Sequence, residues 1–233
     1  MKQILLPDNK ERSLAFYLAM EEYVAKEMEG ESFFVWRVEP TVIIGRNQVL
    51  ENEVNMPYCA EHGVQLVRRR SGGGCVYSDK GNIMISCVSE RGDVAAVFDR
   101  YMSALAALLC DLGLPAVKSA RNDILVDGRK VSGNAFQQLP GKSIVHGTML
   151  YSTNLEALTE AIHPPVEKLQ RHGVESVRQR VVNLEEYKDV HPVLESVESL
   201  EKHLVEAFTD EAVILTVEQV TEIERQAEPY IIR

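Results

Sequence analysis

Arg68-Arg69-Arg70-Ser71-Gly72-Gly73-Gly74-Cys75-Val76-Tyr77 joins three arginines to a serine and three glycines, then returns to apolar residues. Guanidinium groups are planar, permanently charged forks suited to phosphate or carboxylate. Glycines leave no Cβ to keep an anion away from backbone N–H groups. The run reads as an anion-binding loop between two strands, or more plainly as a glycine-rich hairpin with a solvated basic flank. No Gly-Lys-Ser/Thr follows, so it is not a P-loop. No Gly-x-Gly-x-x-Gly opens a helix, so it is not a dinucleotide fingerprint.

Val64–Val67 reads as the strand feeding this loop, and Cys75–Tyr77 and Ile83–Val88 as the strands leaving it, separated by the polar turn Ser78-Asp79-Lys80-Gly81-Asn82. Upstream, Phe33–Val38 and Thr41–Gly45 read as two strands joined in a hairpin-like turn at Glu39-Pro40. Asn52 to His62 reads as irregular, with Pro57 breaking any helix. From Ser13 to Met28, the residues Leu14, Tyr17, Leu18, Val24 and Met28 form one helical stripe, with Glu21, Glu22, Lys26 and Glu27 as its wet face.

Downstream, Val94–Leu112 is the strongest helical pattern, ended by Gly113. Asp127-Gly128 is a hairpin turn signal after a strand at Ile124–Val126, and it puts Lys130 near the start of the next strand. Ser143–Tyr151 is a further strand, carrying His146-Gly147-Thr148. A short helix follows at Leu155–Ile162. Val166 to Asn183 holds Lys168, Arg171, Arg178 and Arg180, as a loop closing over an anion would, or an exposed connector. Val197–Phe208 and Val217–Ala227 read as helices, with a strand at Ala212–Val217 between them. Hairpins dominate and alternate irregularly with helices. The expected fold is α+β, with a mixed, largely antiparallel sheet flanked by helices rather than a doubly wound parallel sheet.

The chain has 233 residues, 45% apolar and 26% charged, with a formal net charge of −10. That field disfavours non-specific binding of nucleic acid. No run of about 18 apolar residues is long enough to span a membrane. The apolar stretch at Met1–Pro7 is too short for a signal peptide, so a cytoplasmic location is expected. Cys59, Cys75, Cys87 and Cys110 form no Cys-x-x-Cys pair and read as small buried hydrophobes, not a zinc cluster.

If the glycine loop, Lys130 and the basic stretch share one cavity, it would hold an anion of high charge beside an apolar tunnel. No Gly-x-Ser-x-Gly elbow is present. The chemistry is then electrostatic, with cations stabilising charge on a phosphate or a mixed anhydride. A lysine there can bridge the carbonyl oxygen and the phosphate of an acyl-adenylate.

Six blocks occur in order: Arg69-Arg70-Ser71-Gly72-Gly73-Gly74, Asp79-x-Gly81-Asn82, Arg121-Asn122-Asp123, Lys130-Val131-Ser132-Gly133, His146-Gly147-Thr148, and Ser176-Val177-Arg178-x-Arg180-Val181-x-Asn183. Together they resemble the lipoate–protein ligase A family, from about residue 11 to about residue 187. The resemblance implies the fold of biotin protein ligases and class II aminoacyl-tRNA synthetases, with residues 1–233 as a single catalytic domain. It implies ATP and Mg²⁺, lipoate as substrate, a lipoyl-adenylate intermediate, and transfer to a lysine of an apo lipoyl domain. The acceptors would be lipoyl domains of 2-oxoacid dehydrogenase complexes and the glycine cleavage H protein.

Carried over by motif, Lys130 would be the catalytic lysine, binding both lipoate carbonyl and phosphate. Arg69, Gly74, Cys75, Val76, Tyr77, Asn122 and Asp123 would bind ATP and the adenylate, with Asp123 also a candidate for Mg²⁺. Ser71, Gly72, Gly73, Gly133, His146 and Gly147 would bind lipoate. Lys168, Arg178 and Arg180 would belong to the adenylate-binding loop.

Two departures stand out. Ser78 occupies a place where family members have His, which removes one ionisable group. The ligases also carry a C-terminal accessory domain, and this chain ends near where that domain would begin. The expectation is therefore a catalytic domain without it. That leaves a split ligase with a separate small accessory subunit, or an ATP-independent lipoyl or octanoyl transferase. A non-catalytic lipoate-binding module is the third reading. The transferases use a Cys after the lysine block, and this chain has none after Cys110.

Overall fold

The computed structural model describes residues 1–162 and 180–232. Among them the strands are β1 (Lys2–Leu5), β2 (Ser32–Trp36), β3 (Thr41–Ile44), β4 (Gln65–Arg68), β5 (Val76–Ser78), β6 (Asn82–Glu90), β7 (Ala116–Lys118), β8 (Asp123–Val126), β9 (Arg129–Gln138), β10 (Lys142–Leu150) and β11 (Glu211–Ile214). The helices are α1 (Leu14–Glu27), α2 (Leu50–Glu53), α3 (Met56–Glu61), α4 (Val94–Asp111), α5 (Leu155–Ala161), α6 (Val197–Phe208) and α7 (Val217–Ala227). The fold is mixed α+β, as expected. None of these helices is long and apolar enough to cross a membrane.

Eight strands form the larger sheet, in the order β11-β1-β2-β6-β10-β9-β8-β7. Only the β11–β1 and β1–β2 pairs are parallel. The long β6 and β10 are buried over nearly their whole length and pair antiparallel across nine residues at the centre. One face is covered by α4 and α6, whose Leu105, Leu109, Leu200 and Leu204 meet Ile83, Ile85 and Val145. The other face is covered by α1 and α7, where Leu18, Met20 and Ile223 meet Met84 and Ile144. Removing this much apolar surface from water is the main force holding the layers together.

The second sheet has three strands, ordered β4-β3-β5, with β3 parallel to β4 and antiparallel to β5. This corrects the hairpin expected at Glu39-Pro40. Both edges of β2 are already occupied, by β1 and β6. The Thr41-Val42-Ile43-Ile44 run is buried at every position and takes the centre of the smaller sheet instead. The arginine-glycine run is not a hairpin either, because β3 lies between β4 and β5.

Residues 52–62 are not irregular. Pro57 sits in the first turn of α3, where its missing N–H has no helical acceptor to lose, and Asn55 caps the start by accepting from the Tyr58 N–H. The expected wet face of α1 holds at Lys26 and Glu27, which are exposed, and is corrected at Glu21 and Glu22. Glu21 is 1% exposed and Glu22 is 4% exposed, because α1 lies between the large sheet and α7 with the C-terminal turn at Glu228–Tyr230. The expected helices at 94–112, 197–208 and 217–227 agree with α4, α6 and α7 to within a residue.

Candidate active site

A cavity of about 260 Å³ opens between the α1 side of the large sheet and the smaller sheet. Its apolar wall comes from Leu14 and Leu18 of α1, Trp36, Ile43, Val76 and Met84. Its polar side comes from Arg121, Asn122, Asp123, Lys130 and the glycine loop. An apolar slot ending in a charged mouth suits an acyl chain with a reactive carboxyl end.

The loop is built by its own arginines. Arg69 is 5% exposed and donates to the carbonyls of Ile43 (3.3 Å), Gly72 (2.8 and 3.1 Å) and Gly74 (2.7 Å). These bonds use four of the five guanidinium N–H donors. Arg68 donates to the carbonyls of Gly45 and Gln48, which holds the turn after β3. Arg70 pairs with Glu22 at 2.6 Å. The forks of the triplet, which the sequence suggested for an anion, are thus largely engaged by the protein itself. Gly73 makes this possible, with φ +95°, and a Cβ there would meet the Arg69 guanidinium.

What faces a ligand is backbone. The N–H groups of Gly73 and Gly74, which line the cavity, have no protein acceptor among the described residues. Behind them lies the Arg69 cation, which has no carboxylate partner among those residues. Burial pulls its pKa down to about 10, which leaves it charged at neutral pH. Free N–H groups backed by an uncompensated buried cation form an anion cradle.

Lys130 is placed by a β-bulge. Ile124 pairs with Ser132 but Leu125 pairs with Lys130, so β9 carries Val131 as one extra residue. In a regular strand, residues three apart point to opposite faces. The extra residue puts Lys130 and Gly133 on one face, as bulges beside functional sites commonly do. The lysine then lies along the strand over Gly133, where a Cβ would come 2.5 Å from its Nζ. The ammonium meets Asp123 Oδ1 at 2.7 Å. Just across β9, Val181 bridges Lys130, so the chain returns from the basic stretch beside this lysine. Arg180 is half-buried next to that bridge; Lys168 and Arg178 lie outside the described residues.

The inner end of the cavity is closed by a chain of buried polar groups. Trp36 Nε1 donates to Ser86 Oγ (2.9 Å), and Ser86 donates to Glu21 Oε1 (2.6 Å). Glu21 Oε2 lies 2.7 Å from His146 Nδ1, and His146 Nε2 lies 2.8 Å from Ser71 Oγ. Serine, histidine and glutamate therefore stand in triad order. Yet Ser71 is 2% exposed and does not line the cavity, so its hydroxyl is a strut under the loop.

Of the expected site residues, Arg69, Gly73, Gly74, Cys75, Val76, Asn122, Asp123, Lys130, Gly133, His146 and Gly147 all line this one cavity. Ser71 and Gly72 do not line it, and Tyr77 is buried in the smaller sheet's core with Val42 and Cys59. Burial pushes the Cys75 thiol up to about 12, which makes it a wall group and a poor nucleophile at neutral pH. Sequence reasoning missed Glu21, Trp36, Met84, Ile43 and Asn134. The signal for Glu21 was the nearly all-round apolar character of α1, which marks a helix covered on more than one side.

A sequence profile for the lipoyl protein ligase A/B catalytic domain matches residues 13–209. The chain belongs to this family. It is 38% identical over 175 residues to lipoate-protein ligase LplJ of Bacillus subtilis (strain 168), a match covering 74% of this chain and 53% of the relative. It is 37% identical over 173 residues to lipoate–protein ligase 1 of Staphylococcus aureus (strain Mu50 / ATCC 700699), covering 73% and 53%. The chain spans about half the length of these curated relatives. A structure from the lipoylation system of Thermoplasma acidophilum, described as a bi-partite lipoate protein ligase and its E2 lipoyl domain, matches with a TM-score of 0.83 and 26% identity. That match covers 97% of this chain and 91% of the other.

Proposed function

We propose that this chain activates lipoate with ATP and passes the lipoyl group to a lysine of an apo lipoyl domain. The observation that supports it best is one cavity joining an apolar slot, a cradle of free loop N–H groups and the bulge-placed Lys130.

In the first step a lipoate carboxylate oxygen attacks the α-phosphorus of ATP, and the P–O bond to pyrophosphate breaks. The glycine-loop N–H groups and Arg69 hold phosphate charge as it shifts. Lys130 bridges the acyl oxygen and the phosphate, with no covalent bond to the enzyme. Gly133 leaves the ammonium room, and Gly147 and His146 line the acyl slot. In the second step the acceptor amine attacks the acyl carbon, AMP leaves, and the amine loses a proton.

ATP enters as its Mg²⁺ complex. Among the described residues no group of three or more His, Cys, Asp or Glu is placed to hold a metal ion. A magnesium ion held mainly by phosphate oxygens needs only one or two protein carboxylates, and among the described residues Asp123 is the carboxylate lining the cavity. Asn122 stands beside it, its side chain donating to the Asn134 carbonyl at 2.7 Å. Lys168, Arg178 and Arg180 would add cations once the adenylate is bound.

The acceptors would be lipoyl domains of 2-oxoacid dehydrogenase complexes and the glycine cleavage H protein, with a small accessory subunit as a further partner. Incubation of the full chain with lipoate, MgATP and an apo lipoyl domain, with and without an accessory subunit, tests this reading. Adenylate and ATP-dependent lipoylation are expected. Transfer from an acylated carrier without ATP would instead favour a transferase, and tight lipoate binding without turnover would favour a binding module.

A further inference from the structure

Outside the cavity, Glu22 is a buried carboxylate that the chemistry above does not use. One of its oxygens accepts from Lys26 Nζ (2.9 Å) and Arg70 Nη1 (2.6 Å). The other accepts from the Tyr230 hydroxyl (2.7 Å) and Gln137 Nε2 (3.1 Å). These donors come from α1, the glycine loop, the C-terminal turn and β9. The Arg70 guanidinium also lies over the Tyr230 ring, 4.8 Å from its centre. Burial alone would raise the Glu22 carboxyl, but the bonds from Lys26, Tyr230 and Gln137 and the charge of Arg70 outweigh it, so it is held below its ordinary value.

The C-terminal segment continues from this hub along the strand that feeds the loop. Ile231 bridges Val67, and the Ile232 N–H donates to the Leu66 carbonyl at 3.0 Å. Two consecutive loop residues are thus tied to two consecutive residues of α1. Arg70 binds Glu22 directly, and Ser71 reaches Glu21 through His146. The inner tie runs through His146, which lines the cavity, while the outer tie is packed against Tyr230, whose hydroxyl donates to Glu22 and whose ring lies under Arg70.

We propose that Glu22 and Tyr230 are positioning residues for the glycine loop, so that docking of the C-terminal segment 228–232 sets how well the loop N–H groups receive phosphate. Neither residue touches the cavity. Each acts through Arg70, whose loss of partners frees the stem of the loop. The phosphate role of the loop rests on the ligase reading; the mechanical coupling does not.

Two readouts on the full chain separate the two. Trp36 is the one tryptophan of the chain and lines the acyl slot, so its emission reports lipoate binding without turnover. Glu22→Gln and Tyr230→Phe should raise the KM for MgATP about tenfold, in the range of coupled contacts. Lipoate affinity read from Trp36 should stay within about twofold, because the slot wall is untouched. Arg70→Lys, which keeps a charge for Glu22, should recover most of the loss seen in Arg70→Ala.

The second readout needs no activity. The Arg46 N–H donates to the Ser71 carbonyl at 3.0 Å, so its hydrogen exchange reports the loop stem. Exchange at Arg46 should quicken about tenfold in Glu22→Gln and Tyr230→Phe, with thermal melting as the check on folding. If Glu22→Gln does not fold, Tyr230→Phe decides, since it deletes one oxygen. Unchanged Arg46 exchange in a folded variant, or MgATP and lipoate terms weakening together, would overturn the coupling. A wild-type protein that makes no adenylate would count against the ligase reading alone, and the exchange result would still decide the coupling.

Discussion

His146 stands between Glu21 and Ser71, its Nδ1 2.7 Å from the buried carboxylate and its Nε2 2.8 Å from the hydroxyl. The histidine braces the glycine loop against α1 across β10. Ser71→Ala should therefore cost about 1–2 kcal/mol in urea unfolding, the cost of an unmade buried hydrogen bond. It should keep turnover within about tenfold of wild type. A nucleophilic serine would instead lose activity by several orders of magnitude, so a collapse of turnover in the folded variant would refute the strut.

Lys130 and Gly133 act as a pair. Lys130→Ala removes the bridging cation and should abolish adenylate formation, measured as pyrophosphate release, while the melting temperature stays near wild type. Gly133→Ala leaves the lysine in place but puts a methyl where its ammonium lies. It should also reduce adenylate formation by at least about tenfold, because a small misplacement of a catalytic group is costly. Full activity in either variant would remove the bulge geometry from the mechanism.

The three glycines of the loop differ in what they do. Gly73 has positive φ and contacts Arg69, so Gly73→Ala should lose about 1–2 kcal/mol of stability. A Cβ on Gly72 or Gly74 would meet nothing within 4 Å. Gly72→Ala and Gly74→Ala should fold like wild type, and Gly74→Ala, at the cavity wall, should weaken nucleotide binding. Equal stability loss at all three positions in chemical denaturation would contradict this division.

Burial pushes both the Cys75 and the Cys87 thiols up to about 12. A raised folded pKa gives stability that is complete below the unfolded value near 9 and is lost as pH climbs from there toward 12. Unfolding free energy should fall as pH rises from about 9 toward 12, by up to about 1.4 kcal/mol per pH unit for each thiol. Replacing both with alanine should flatten the slope. Alkylation of the native protein near pH 8, followed by mass spectrometry, should mark the exposed Cys110 well before Cys75.

Much of the fold was legible in local signals. Ser13 caps α1 by accepting from the Phe16 N–H, and Asp127-Gly128 makes the turn before Lys130, with positive φ at both residues. The partnering of strands was less legible. The turn at Glu39-Pro40 looks the same whether the next strand pairs back or crosses to another sheet. Only the prior occupation of both β2 edges decides it, and that is a long-range fact.

In the site, Lys130 was legible from its turn and its family motif, but the bulge at Val131 that aims it was not. Glu21 and Glu22 were misread as solvated because acidic residues on a helix usually are. Their partners Ser86, His146, Arg70 and Tyr230 lie 48 to 208 residues away in the chain. The charge of the arginine triplet points to an anion, while its donors go to carbonyls of the loop and of the turn after β3 and to the Glu22 carboxylate.

The most direct measurement is the intact mass of an apo lipoyl domain after incubation with this protein, lipoate and MgATP, with and without an accessory subunit. A single lipoyl addition on the acceptor lysine is predicted, dependent on ATP and absent with Lys130→Ala. An acceptor that stays unmodified in every combination, with no lipoyl-adenylate in the mixture, would contradict the account.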